Sequence, residues 1–135
     1  MDDRLSTAAR LYAALADTDA PTLYALLTDD FTGRLTAGLP HGLGREYTGA
    51  DDMIRRGWGG VARHYTMRPV PEEYLATTDG RVVVLGTYRA TARATGREMA
   101  APFAHVLSFD GDSGRISGLV QVTDTAPWAA ALAEQ

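Results

Sequence analysis

The chain has 135 residues, a net charge of −4 and a hydrophobic fraction of 45%, values of an ordinary globular domain. Every one of its 13 basic residues is Arg, and Lys, Asn and Cys do not occur. Those absences exclude a Schiff-base lysine, a lysine-bearing phosphate loop, a thiolate nucleophile, disulfides and any zinc site with cysteine ligands. The arginines are scattered from Arg4 to Arg115 without a basic stripe, so no nucleic-acid partner is expected. The opening Met1-Asp2-Asp3-Arg4 lacks the layout of a signal peptide, and no apolar run approaches the roughly 18 residues of a membrane span. A single domain over residues 1–135, cytoplasmic and without a membrane partner, is the expectation.

From Leu5 to Ala16 apolar residues recur at a period of 3.6, predicting a first helix with Leu11, Tyr12 and Leu15 inward. Asp19 is placed to cap a second helix with Pro21 in its first turn, and Asp29-Asp30 to close it. A short strand is predicted over Phe31–Thr36, followed by a loop, Gly38-Leu39-Pro40-His41-Gly42-Leu43-Gly44, read as a lid or an arm over the core. Asp51 is the predicted cap of a third helix carrying Met53, Ile54, Trp58 and Val61 inward, with Gly59 and Gly60 weakening its last turns.

After Pro71 the period becomes 2. Long strands are predicted over Thr66–Thr77, Val82–Ala94, Arg97–Phe109 and Arg115–Thr123, joined by short glycine-bearing turns as an antiparallel meander. Asp124 caps a final helix through Leu132. Three helices followed by such a sheet bury an interior when the sheet bends and the helices close its open side. The expected fold is α+β, a cone-shaped half-barrel with a pocket. The sheet's outer face, with Val83, Leu85, Val106 and Val120, then needs cover, and a homodimer through it is expected.

The order of elements resembles the nuclear transport factor two-like superfamily, in its SnoaL-like and ketosteroid-isomerase-like branch. The segments that carry the likeness are LYAALADTD at 11–19, LLTDDF at 26–31, YTGADDMI at 47–54 and FAHVLSFDGDSGRI at 103–116. The resemblance implies the cone fold, no cofactor and a small apolar, oxygenated metabolite as partner. For activity it implies an isomerase, cyclase, dehydratase or epoxide-opening enzyme working by proton transfer. A fold this widely used does not fix its chemistry, and a binding or accessory protein with a non-catalytic pocket is the alternative.

His105 is the first candidate for chemistry, a polar group on the strand face of Phe103, Leu107 and Phe109. By resemblance its position matches the oxyanion-hole acid of ketosteroid isomerase and a pocket histidine of SnoaL-like cyclases. Gln121, on one face with Leu119 and Thr123, stands where those cyclases carry their acid/base Asp, and an amide cannot transfer protons. The isomerase's base would fall within Gly33-Arg34-Leu35-Thr36, which has no carboxylate, and its helix-one Tyr aligns with Leu11, one place from Tyr12. A chain without Asn also lacks part of the limonene-type epoxide-hydrolase water site.

That leaves His105 as acid/base or oxyanion donor, Gln121 to orient a ligand oxygen, and His41 or Tyr12 as a second proton carrier. Trp58, Tyr47, Tyr65, Tyr88, Phe103 and Leu119 are the expected apolar lining. Arg34, Arg89 and Arg93 are candidates for a ligand carboxylate, although strand-face arginines are usually solvated. No metal site is expected, since His41, His64 and His105 lack ligand spacing.

Overall fold

The computed structural model describes residues 3–133, so Met1, Asp2, Glu134 and Gln135 lie outside it. Helix α1 spans Asp3–Ala16 and α2 Ala20–Leu26. Asp19 caps α2 as expected, its carboxylate accepting from the Thr22 amide at 3.2 Å. Asp29-Asp30 does not close that helix. The chain turns extended at Leu27, and β1 runs over Leu27–Arg34 rather than Phe31–Thr36. Leu27 is fully buried and pairs with Ile116, so tertiary pairing overrides the polar Thr28-Asp29-Asp30 stretch.

A single 3₁₀ turn at Pro40–Gly42 and the short β2, Glu46–Thr48, lead into α3, residues 50–64. The cap of α3 is Gly49 at φ 93°, not Asp51. Asp51 instead accepts from the Tyr24 hydroxyl at 2.6 Å, and Asp52 accepts from the Thr48 amide. The middle of α3, Met53–Trp58, is a π-helical turn, a widening common where a helix edges a functional cavity. Gly60, read as a weak point, has a packing reason: a Cβ there would meet Leu43 Cδ2 at 2.6 Å. Its missing side chain lets the Gly38–Gly44 loop seat Leu43 in the core.

The long strands are β3 (Tyr65–Ala76), β4 (Val82–Ala92), β5 (Glu98–Phe109) and β6 (Ile116–Thr123), within two residues of expectation. Their turns carry Gly80, Gly96 and Gly114 at positive φ, the backbone a tight hairpin requires. The sheet order is β2-β1-β6-β5-β4-β3. The four long strands form the expected antiparallel meander, and β1 joins it parallel to β6. Helix α4, Thr125–Leu132, is capped by Asp124, which accepts from the Ala126 amide at 3.1 Å. The helices pack on a six-stranded, curved, unclosed sheet. Its concave face alternates inward as Val84, Gly86, Tyr88 and Ala90 on β4 and Phe103, His105 and Leu107 on β5. Among the described residues no helix is long and apolar enough to cross a membrane.

Candidate functional site

A cavity of about 310 Å³ lies between the concave face and the helices. Of the residues expected to line it, His105, Gln121, Trp58, Tyr65 and Tyr88 do so. The others stand elsewhere, for reasons visible in their partners. Tyr47 is buried against the loop, its hydroxyl donating to the Leu43 carbonyl at 2.8 Å beneath the Arg45 guanidinium. Leu119 is core, and Phe103 sits behind the cavity wall with its ring 4.3 Å from His105 and 4.5 Å from Tyr88. Gly86 makes that position available, since a Cβ there would overlap the Phe103 ring and the Val70 carbonyl.

His41 does not swing over the pocket. It is exposed at φ 61° in the 3₁₀ turn and stacks on His64 at 3.6 Å between centroids, away from His105. Burial, then His41 and Arg63, hold His64 below the usual imidazole range. Among the described residues no three His, Cys, Asp or Glu converge as a metal-binding set. Tyr12 does not line the cavity either; it reaches from α1 to the back of His105.

What the fold assembles is a hydrogen-bonded chain through the core. Tyr12 Oη lies 2.7 Å from His105 Nδ1, and Tyr88 Oη lies 2.5 Å from His105 Nε2. Gln121 Nε2 donates to Tyr88 Oη at 2.7 Å. The orientation of the Gln121 amide is set at its other end, where Oε1 accepts from the Thr36 amide N–H at 3.0 Å. Thr36 in turn donates its hydroxyl to the Gln121 carbonyl and accepts from the Thr123 amide. Thr36 was not a candidate from sequence. Its signal was faint: a Thr at the end of a predicted strand, one residue beyond Leu35.

Electrostatics fix the charge state of this chain. His105 and Tyr88 are buried, and burial pushes the imidazole down to about 3, so it is neutral at pH 7. Burial, with smaller effects from the Tyr88 and Tyr74 hydroxyls, holds Tyr12 well above the usual phenol range. Tyr88 is likewise raised by burial, against the opposing effect of the Gln121 amide. All members are therefore neutral, and their protons can be assigned by accounting.

Tyr12, His105 and Tyr88 together carry three protons on O or N, and only two contacts join them, so one proton is left over. If His105 is protonated at Nδ1, the spare proton is on Tyr12, a residue 2% exposed whose hydroxyl has no second partner among the described residues. Leaving that donor unpaired costs about 1–3 kcal/mol. If His105 is protonated at Nε2, Tyr12 donates to Nδ1 and Nε2–H donates to Tyr88. The Tyr88 oxygen then accepts twice, from His105 and Gln121, and its own O–H is free at the cavity wall. Both arrangements leave one hydroxyl proton over, and the second places it on Tyr88, the one of the two tyrosines that lines the cavity, where a ligand oxygen can accept it. No Asp or Glu lines the cavity, so this hydroxyl meets a ligand without competition from a carboxylate.

Known proteins agree with this architecture. A SnoaL-like domain model matches residues 8–119. An NTF2-like protein of unknown function from Burkholderia pseudomallei is 32% identical, with 99% of this chain and 100% of that one covered and a TM-score of 0.88. TerC, co-crystallized with polyporic acid, is 23% identical over 96% of this chain and 97% of its own, with a TM-score of 0.84. A hypothetical protein from Catenulispora acidiphila with a ketosteroid isomerase-like fold, in complex with trimethylamine, is 17% identical over 92% and 89%, with a TM-score of 0.77. No curated protein sequence matches the chain. With a family model covering most of its length, the chain belongs to the SnoaL-like domain family of the NTF2-like fold.

Proposed function

We propose that the cavity binds an apolar, oxygenated small molecule and activates it at oxygen, with the Tyr88 hydroxyl as the hydrogen-bond donor. The single observation that carries this reading is the Tyr12–His105–Tyr88–Gln121 hydrogen-bonded chain, whose member Tyr88 lines the cavity. A donor that already accepts two hydrogen bonds is polarised and held in place before the ligand arrives. In a water-poor site such preorganisation stabilises charge developing on a ligand carbonyl. Tyr88 is the catalytic donor; His105 and Gln121 position it, and Tyr12 fixes the His105 tautomer. The reaction class is cofactor-free isomerisation, cyclisation, dehydration or epoxide opening through an oxygen-stabilised intermediate. That TerC, of the same fold, was co-crystallized with polyporic acid supports a small-molecule cavity.

A second reading, a pocket that holds its ligand without turning it over, is favoured by one observation. No carboxylate lines the cavity, and both His105 nitrogens are occupied by tyrosines, so no general base stands free. One experiment separates the two: deuterium exchange of the enolisable ketone 2-tetralone in D₂O, followed by mass spectrometry. The enzymatic reading predicts exchange faster than buffer with wild type, abolished in Tyr88→Phe. Saturable binding without accelerated exchange supports the second reading, and no binding overturns both.

The same proposal includes a homodimer through the sheet's convex face. Leu85, Val120 and Val122 are 36%, 45% and 59% exposed there, while Val83 and Val106 are half-buried. An apolar patch of this kind marks an association surface. Sedimentation of wild type as a dimer, and of Val120→Asp as a monomer, is the expected outcome; a monomeric wild type contradicts it.

A further inference from the structure

Five residues along the chain from Tyr88, just beyond the end of β4, Arg93 also lines the cavity. It is exposed, and its surroundings set it apart from an ordinary solvated arginine. Its backbone N–H donates to the His64 carbonyl at 2.9 Å, and its side-chain Nε donates to the Ala62 carbonyl at 2.8 Å. Those two bonds tie the residue to the C-terminal turn of α3, where unpaired carbonyls favour a cation. The side chain is thereby anchored along the cavity's edge at Nε, while its two terminal nitrogens make no hydrogen bond or ion pair among the described residues. Arg93 is the only cationic side chain among the lining residues, which include no Asp or Glu; His105 is neutral.

The cavity is thus bipolar in a specific way. A neutral donor, Tyr88, stands in the buried wall. A held guanidinium with free Nη donors stands at the exposed edge, five residues further along the chain. Leu15, Leu23, Ile54 and Val61 supply apolar lining. A planar carboxylate is the group that a guanidinium's paired donors match best. We infer that Arg93 recognises an anionic group, so that the ligand class is an apolar carboxylic acid with a carbonyl or hydroxyl oxygen at the end remote from its carboxylate. This inference rests on the reading of Tyr88 as the oxygen donor and narrows its substrate class. Arg34 and Arg89, the other arginines considered for this role, do not line the cavity; Arg34 pairs with Glu46 on the surface.

Two probes of one apolar body test it: 6-hydroxy-2-naphthoic acid and 2-naphthol, titrated by fluorescence against the purified full-length protein. Wild type is expected to bind the acid about five- to tenfold more tightly than the naphthol, a charge-assisted contact discounted for exposure. Arg93→Gln is expected to erase that preference while leaving 2-naphthol affinity unchanged, and Arg93→Lys, which keeps the charge, to retain part of it. Raising the salt concentration weakens the acid alone. Equal affinities in wild type, or a preference that survives in Arg93→Gln, overturns the role of Arg93. Tyr88→Phe separates this from the underlying reading, because it weakens both probes if Tyr88 is the donor. Failure of both probes to bind wild type overturns the two proposals together.

Discussion

Lowering the pH from about 7 to about 5 should destabilise the protein through His105, by an amount the structure sets. The imidazole is held at about 3 in the folded state by burial, against an ordinary 6.5. The folded pKa lies below the unfolded one, so the unfolded chain takes up a proton between these values and the folded chain does not. The neutral, buried state therefore contributes its stability in full above about 6.5, and that contribution falls steadily as the pH drops toward 3. At 1.36 kcal/mol per pH unit, the loss from His105 alone reaches about 2 kcal/mol at pH 5 and about 4 kcal/mol at pH 3, where the folded imidazole is itself half protonated. Against a typical total of about 5–15 kcal/mol, that is a substantial part of the stability by pH 3. The carboxylates held low by hydrogen bonds, Asp19, Asp79 and Asp110, act with the same sign but only below about pH 4, outside this window. His64, also lowered by burial, adds to the effect within it. Urea unfolding followed by the fluorescence of Trp58 and Trp128 gives the stability at each pH. The His105→Gln variant is expected to lose about 2 kcal/mol less than wild type between pH 7 and 5, whatever its stability at pH 7, with His64→Gln as the control. Parallel pH dependences for wild type and His105→Gln would refute a buried neutral imidazole.

Tyr12→Phe keeps the ring that stacks on Phe103 and His105 but removes the hydroxyl facing Nδ1. It should cost about 1–3 kcal/mol in urea unfolding, the penalty for an unpaired buried nitrogen; a change below about 0.5 kcal/mol contradicts the bond. Tyr88→Phe removes the donor without changing the cavity's apolar wall. It should weaken 2-naphthol about tenfold by fluorescence titration, and unchanged affinity would place the ligand oxygen elsewhere. Gly86→Ala would drive a methyl into the Phe103 ring and the Val70 carbonyl behind the site. A loss of about 1–3 kcal/mol or more in thermal or urea unfolding is expected, and tolerance of the change would mean that wall is loosely packed.

Strands β4 and β5 were legible because they alternate, and the inward phase that places Phe103, His105 and Leu107 on one face follows from period 2 alone. His105 and Gln121 stood out for the same reason, as polar side chains in apolar rows, and the register pairs them directly across β5 and β6. Their connection to Tyr88 was not legible. Tyr88 is opposite Ala101 in the sheet, and its hydroxyl meets His105 only because the ring leans along the strand. Tyr12 was visible as a buried helix position, but its contact with His105 spans 93 residues of sequence and depends on how α1 crosses the sheet. β1 was misplaced because Thr28-Asp29-Asp30 reads as a helix end, whereas its parallel partner β6 decides it. His41 failed for local reasons: its positive φ and its stacking on His64 turn it away from the cavity.

The central claim is that the spare proton of the buried chain resides on Tyr88 because His105 is neutral and protonated at Nε2. Nitrogen NMR of protein labelled at histidine reads this directly, since the two ring nitrogens resonate far apart when only one carries a proton. His105 is expected to show a protonated Nε2 and an unprotonated Nδ1, unchanged from about pH 8 to about pH 5. A His105 protonated at Nδ1, or one that titrates with a midpoint near 6.5, would contradict the account.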